Sequence, residues 1–227
     1  MSKLYLVATP IGNLGDFSTR AAEVLKQVAR IACEDTRTSS RLMGHYGIDT
    51  PLFPFHQHNE HRKINDLISM LDRGEDIALI TDAGMPGLSD PGFLAARAAW
   101  QSGHTVCTIP GADACSTALA CSGLPSDRYL FEGFLPHKKG RQTRLREIAE
   151  HEVTTVLFES PKRLNRLLGE LIEHTGEARL VCIARELTKL HEEVQRGSLG
   201  ELAAHWKERG EPKGEIVLII AAKSYTE

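Results

Sequence analysis

Short runs of β-branched and apolar residues alternate along this chain with segments whose apolar positions recur every three to four residues. That alternation predicts an α/β fold, with a largely parallel sheet at the start because each early strand is followed by a loop and a helix. Leu4-Tyr5-Leu6-Val7-Ala8 reads as a buried strand and residues 19–28 as a helix. Ile31-Ala32-Cys33 reads as the second strand, followed by a helix over residues 36–45 that Gly47 can end. A short run at 52–55 precedes a helix over 60–73 closed by Gly74, with Asn59 as its cap and Glu60 on its dipole. A strand at 77–81, a helix at 93–101 capped by Gly103 and a strand at 106–109 complete this half.

A small-residue helix over 112–121 then stops at Ser122-Gly123-Leu124-Pro125, which places a division of the chain into residues 1–117 and 118–227. The second half predicts strands at 129–134, 155–159, 180–184 and 216–221, separated by helices at 141–150, 161–174 and 199–208. It reads as another α/β unit whose strand directions the pattern leaves open. Glu159-Ser160-Pro161 has the look of a strand end, a cap and a helix-opening proline.

Composition narrows the class. With 227 residues, 41% hydrophobic and 25% charged, the chain can bury a substantial core. No apolar run approaches the roughly 20 residues that span a bilayer, and the N-terminus enters a strand at once, so no membrane and a cytoplasmic location are expected. The five cysteines form no CxxC pair, and nothing completes a metal site around His56, His58 and His61, so no metal is expected. A net charge of −3 gives no whole-chain footprint for nucleic acid. Any polyanion has to be met locally, and the concentrated basic stretch is His137-Lys138-Lys139-Gly140-Arg141-Gln142-Thr143-Arg144-Leu145-Arg146.

In doubly wound sheets ligands collect at the carboxyl ends of the strands, and three loops there are rich in glycine and proline. They are Thr9-Pro10-Ile11-Gly12-Asn13-Leu14-Gly15-Asp16, the stretch from Asp82-Ala83-Gly84-Met85-Pro86-Gly87 to Pro91-Gly92, and Pro110-Gly111-Ala112-Asp113. Neither GxxxxGK[ST] nor GxGxxG occurs, so the phosphate cradles of nucleotide enzymes are missing. Glu34-Asp35 imitates the ribose-binding acid of nicotinamide dehydrogenases, which keeps that class as a rival. An adenosine ligand without phosphates suits the loops better, because Asp82 and Asp113 repel phosphate and attract a sulfonium or ammonium. His58 can relay a proton or simply belong to a helix start, and Arg185-Glu186 follow a buried strand as part of a charged cluster.

Taken in order, Thr9-Pro-Ile-Gly-Asn-Leu, Cys33-Glu-Asp-Thr-Arg, His58-Asn-Glu, Asp82-Ala-Gly-Met-Pro-Gly-Leu-Ser-Asp-Pro-Gly, Ile109-Pro-Gly-Ala, Ser122-Gly-Leu-Pro-Ser-Asp-Arg, Phe131-Glu-Gly-Phe-Leu-Pro, Phe158-Glu-Ser-Pro-Lys-Arg-Leu and Ala184-Arg-Glu-Leu-Thr-Lys resemble one family. It is the cytidine 2′-O-methyltransferases of small-subunit ribosomal RNA, in the tetrapyrrole-methylase superfamily. The resemblance covers essentially the whole chain. It implies a class III methyltransferase of two α/β domains, the second with a mixed sheet, a homodimer, and S-adenosylmethionine held in the cleft between the domains. Carried over, the cofactor contacts are Pro10, Asp82, Gly84, Met85, Asp113, Ala114, Phe158, Glu159, Arg185 and Ile216. Proton acceptors for the ribose hydroxyl come from Glu34, Asp35, His58, Glu60 and Glu186. Phosphate contacts to ribosomal RNA, free or in the assembled small subunit, come from Arg37, Lys138, Lys139, Arg141, Arg144, Lys162 and Arg163. Met85 stands where threonine is common in that family, and many of its members continue past the position of Glu227 into a small helical extension. The rival activities are tetrapyrrole C-methylation and a ribosome-assembly module without catalysis.

Overall fold

The computed structural model describes residues 2–227, which divide into two compact units, one ending at Asp113 and the other beginning at Ala114.

The first unit holds strands β1 (Lys3–Val7), β2 (Arg30–Cys33), β3 (Leu52–Pro54), β4 (Ile77–Leu79) and β5 (Thr105–Ile109) in the order β3-β2-β4-β1-β5. Every pairing in it is parallel. Its helices are α1 (Thr19–Gln27), α2 (Thr36–Tyr46), α3 (Glu60–Asp72) and α4 (Phe93–Gln101). The strands read as unbroken apolar runs because both faces of the sheet are covered. Val7, Ile31, Cys33, Ala78 and Ile80 pack with Leu25 of α1 and Met43 of α2. Their strand neighbours Leu4, Ala32, Ile77 and Leu79 pack on the other face with Leu67 and Leu71 of α3 and Ala95 and Ala99 of α4. Two-residue periodicity thus sends alternate side chains to opposite cores.

Local signals set the helix ends. Ser18 Oγ accepts from Ala21 N at 3.1 Å and caps α1. Asp35 caps α2, and Gly47 closes it at φ 59°, a left-handed conformation that costs glycine nothing. Asn59 departs from expectation, since its side chain makes no capping bond to α3. Instead its Oδ1 accepts from His56 N at 2.9 Å and its amide donates to the Pro54 carbonyl at 3.3 Å, which fixes the turn after β3.

In the second unit a short helix, α5 (Ala114–Ser122), precedes β6 (Tyr129–Phe134), α6 (Arg141–Glu150), β7 (Thr154–Glu159), α7 (Leu164–Thr175), β8 (Leu180–Arg185), β9 (Glu193–Ser198), α8 (Leu199–Arg209) and β10 (Ile216–Ile220). The sheet runs β6-β7-β10-β8-β9 and is mixed: β6 is parallel to β7, and the other neighbours are antiparallel. β10 is buried throughout, as a central strand covered on both faces must be. One core joins Leu157, Ile183, Leu218 and Ile220 to Leu145, Leu167, Leu171 and Trp206 of the three long helices, and α5 lies against the strands from the other side.

Two elements differ from the sequence reading. β9, Glu-Val-Gln-Arg-Gly-Ser, carries no pattern that predicts a strand, because an edge strand needs one ladder partner and little apolar character. The predicted helix over 161–174 opens as a 3₁₀ turn, Pro161–Arg163, and Ser160 makes no side-chain cap.

Candidate functional site

Parallel winding brings the carboxyl ends of β1, β2, β4 and β5 to one edge, and backbone bonds staple their loops together. Thr9 and Gly84 exchange two bonds, Thr9 N to Gly84 O at 2.9 Å and Gly84 N to Thr9 O at 3.0 Å, so the first and fourth loops form an isolated antiparallel bridge. Thr9 Oγ1 also donates to the Thr81 carbonyl at 3.1 Å. Asp35 N donates to Asp82 Oδ1 at 3.2 Å, joining the ends of β2 and β4. Gly111 must be glycine, since a Cβ there would lie 2.9 Å from that of Ala8. Residues far apart in sequence, Thr9, Glu34, Asp35, Asp82, Gly84 and Gly111, therefore share one rim.

The rim is electronegative. Burial raises the Glu34 carboxyl above its ordinary range, and the Asp82 charge adds to the effect. Burial also raises Asp82, with a further push from Asp35. Asp90, in the loop between β4 and α4, is lifted to about 6 by burial and by the charges of Glu34 and Asp82. Asp35 behaves oppositely: hydrogen bonds from Arg37 hold it at about 2. Arg37 Nε and Nη2 reach Asp35 at 3.1 and 2.7 Å, so that guanidinium is engaged within its own helix start although its side chain is exposed. No lysine or arginine forms an ion pair with Glu34, Asp82 or Asp90 among the described residues. Three carboxylates with raised affinity for protons suit a cationic ligand and repel polyphosphate.

Of the proton-acceptor candidates, Glu34 belongs to this group, and Asp35 is committed to Arg37 and to capping α2. His58 is exposed, its ring 6.0 Å from that of His56, and Glu60 occupies the first turn of α3. Glu186 lies in the second unit, where Lys189 Nζ and Glu215 N donate to its Oε1 at 2.8 and 3.0 Å. Burial pushes that carboxyl up, but these donors outweigh it and the net shift is downward, which makes Glu186 a weak base. The sequence reading did not single out Asp90, whose affinity for protons comes from neighbours supplied by β2 and β4.

In the second unit, the cofactor candidates Glu159, Ile216 and Arg185 sit side by side, because Ile216 is in register with Glu159 on β7 and with Arg185 on β8. The side chains of both charged residues are occupied. Arg185 donates to Glu193 at 3.1 Å and to the carbonyls of Lys213 and His191. Glu159, 2% exposed, accepts from its neighbour Ser160 N at 2.7 Å and pairs with Arg163 at 2.6 Å. Arg141 also faces it, with Nη2 and Oε2 3.7 Å apart and neither atom hydrogen-bonded.

Arg141 corrects an expectation. Assigned to the phosphate-contacting surface, it is 1% exposed, bonded to Glu170 at 2.7 Å and to the Pro136 carbonyl at 3.3 Å. It lies on the inward stripe of α6 with Leu145 and Ile148, so its charge serves the interior. Arg163 is likewise directed to Glu159 and to His137 Nδ1 at 3.1 Å, and Arg144 to Glu147 and Glu132 at 2.9 and 3.6 Å. Lys138, Lys139 and Lys162 are exposed and have no carboxylate partner among the described residues.

The chain belongs to the tetrapyrrole (corrin/porphyrin) methylase family, which it matches over residues 3–203. Among its relatives is the ribosomal RNA small subunit methyltransferase I of Synechocystis sp., 47% identical over 97% of this chain and 79% of that one. The protein of the same name from Thermotoga maritima is 41% identical over 98% of this chain and 100% of its own length. Solved structures share the fold at lower identity. A uroporphyrin-III C-methyltransferase from Thermus thermophilus is 19% identical with a TM-score of 0.65, over 98% of this chain and 96% of that one. A cobalt precorrin-4 methyltransferase is 16% identical with a TM-score of 0.64, over 96% and 94%.

Proposed function

We propose that this protein transfers a methyl group from S-adenosylmethionine to the ribose 2′-oxygen of a cytidine in small-subunit ribosomal RNA. The observation that carries the reading is identity above 40%, across nearly the whole chain, to proteins named for methylating that RNA. The first unit's rim agrees with it, since its carboxylates and close-approaching backbone fit a sulfonium nucleoside.

S-adenosylmethionine would supply an electrophilic methyl carbon whose positive charge disperses as the reaction proceeds. The protein's task is then alignment of oxygen, carbon and sulfur, an orientation effect that can supply up to about 7–11 kcal/mol. Asp82 and the Thr9–Gly84 bridge hold and orient the cofactor, and we extend the contacts to the other carried-over positions, with Glu159 and Arg185 acting through their backbone. The hydroxyl proton passes to a carboxylate of the Glu34, Asp82, Asp90 group. Asp90 is the best matched to that task, because a base works best when its pKa lies near the working pH. The reading carries with it a homodimer and a cytoplasmic location.

Incubation with methyl-labelled cofactor and isolated small subunits lacking the modification, followed by mapping of the label, tests it. Label on a single cytidine ribose is expected. Label on a base, or transfer to a precorrin-type macrocycle with none to the subunit, would overturn the reading.

A further inference from the structure

The edge strand β6 carries an aromatic side chain in an unusual state: rigidly backed, yet open to solvent. In a regular strand Phe131 and Phe134, three positions apart, would point to opposite faces. The register of β6 on β7 shifts between Phe131 and Gly133, where Gly133 adopts φ 60°, and this bulge reverses the parity. Both rings consequently meet Phe158, at centroid distances of 5.0 and 5.5 Å with interplanar angles of 70° and 63°. Phe134 remains 57% exposed. A bulge that re-aims a phenylalanine toward water, with Phe158 behind it and Phe131 against the same Phe158 ring, leaves more than half of that side chain exposed.

The next residues supply the complementary chemistry. Leu135 is buried, and the segment after it is closed at both ends by Arg141, whose Nη1 donates to the Pro136 carbonyl at 3.3 Å and whose N donates to the Lys138 carbonyl at 3.2 Å. The buried Arg141–Glu170 bond anchors this clamp, and Arg163 draws the turn bearing Lys162 against His137. Lys138 and Lys139 are thus presented to solvent, four and five residues beyond the exposed ring, from an anchored segment. The acids in reach, Glu132 and Glu147, are already met by Arg144. An apolar protein partner would leave these lysines buried without counter-charge. A single-stranded polyanion with flat bases satisfies both features, the base on the ring and phosphates on the lysines.

We propose that Phe134, backed by Phe158 and followed in the same segment by Lys138 and Lys139, is a stacking platform for an unpaired base of the RNA substrate. The proposal rests on the ribosomal RNA reading above and names the residues that hold that substrate. Arg141 acts beneath the platform as a positioning residue.

The test measures methyl transfer to isolated small subunits lacking the modification, with the cofactor dissociation constant determined separately by calorimetry. Phe134→Leu should raise KM for the subunit roughly fivefold or more, the lower end of what a base–aromatic stack contributes. Cofactor affinity, to which Phe134 contributes only through its packing on Phe158, should change much less than KM, and Phe134→Trp should restore KM. Lys138→Glu with Lys139→Glu should lower the salt dependence of subunit binding by about 1.4 units of slope, about 0.7 for each lost phosphate contact to a single strand. Because these side chains are exposed, the thermal midpoint should not move. Wild-type KM in Phe134→Leu would overturn the proposal, as would weaker cofactor binding with KM for the subunit unchanged, which would make Phe134 part of a cofactor wall. A wild-type protein inactive on subunits would instead defeat the ribosomal reading itself.

Discussion

The rim of the first unit and the end of β7 in the second use the same residue types to opposite ends. At β7, Glu159 is answered by Arg163 and Arg141, and Arg141 by Glu170, all within a nearly solvent-free interior. On the rim, burial raises the proton affinity of Glu34, Asp82 and Asp90, neighbouring carboxylates add to it, and no lysine or arginine is paired to them among the described residues. A carboxylate met by arginines builds structure. Carboxylates left to repel one another hold free energy that a bound cation or a transferred proton can release.

The largest expected effect breaks the β7 side of this contrast. Arg141→Met leaves Glu159 and Glu170 short of a buried partner and should destabilise the protein by about 3–5 kcal/mol, read as a lowered Tm. Arg141→Met combined with Glu159→Leu and Glu170→Leu should recover part of that loss, because the main cost is desolvation of buried carboxylates left with only Arg163 and Arg166 as cationic partners. If the single and combined variants melt together, the network does not carry the energy assigned to it.

A change on the rim should act in the opposite sense. Asp90 has a folded pKa of about 6, above its ordinary value of 3.8, so its contribution to stability is present at low pH and is lost as pH rises through about 6. Asp90→Asn should therefore match the wild type near pH 4 and be the more stable of the two at pH 8. Its activity should fall, and the acid limb of the wild-type pH–rate profile near pH 6 should be lost. Stability curves that stay parallel from pH 4 to 8 would contradict the raised proton affinity.

Much of this was readable from the chain. The apolar runs of β4 and β10 and Gly47 carry their own instructions, because burial on both faces and a left-handed helix end restrict residue choice locally. The glycine and carboxylate loops were likewise visible as such. β9 was not, since Glu193 and Arg196 in an edge strand give no hydrophobic period. Arg141 reads as a surface residue because the density of charge around it outweighs a weaker signal, its four- and seven-residue spacing to Leu145 and Ile148. Asp90 and the reversed parity of Phe134 were beyond reach for a different reason. The first depends on charges brought from other strands and the second on a bulge in the pairing of β6 with β7.

The smallest of these effects bears most directly on the rim as a cation site. In calorimetric titration with S-adenosylmethionine, Asp82→Asn should bind roughly tenfold more weakly than wild type, as removal of one partly solvated charge opposite a sulfonium implies. Adenosine triphosphate should not bind to either protein. Equal affinity of wild type and variant for the sulfonium compound, or binding of the triphosphate at the same site, would contradict the account.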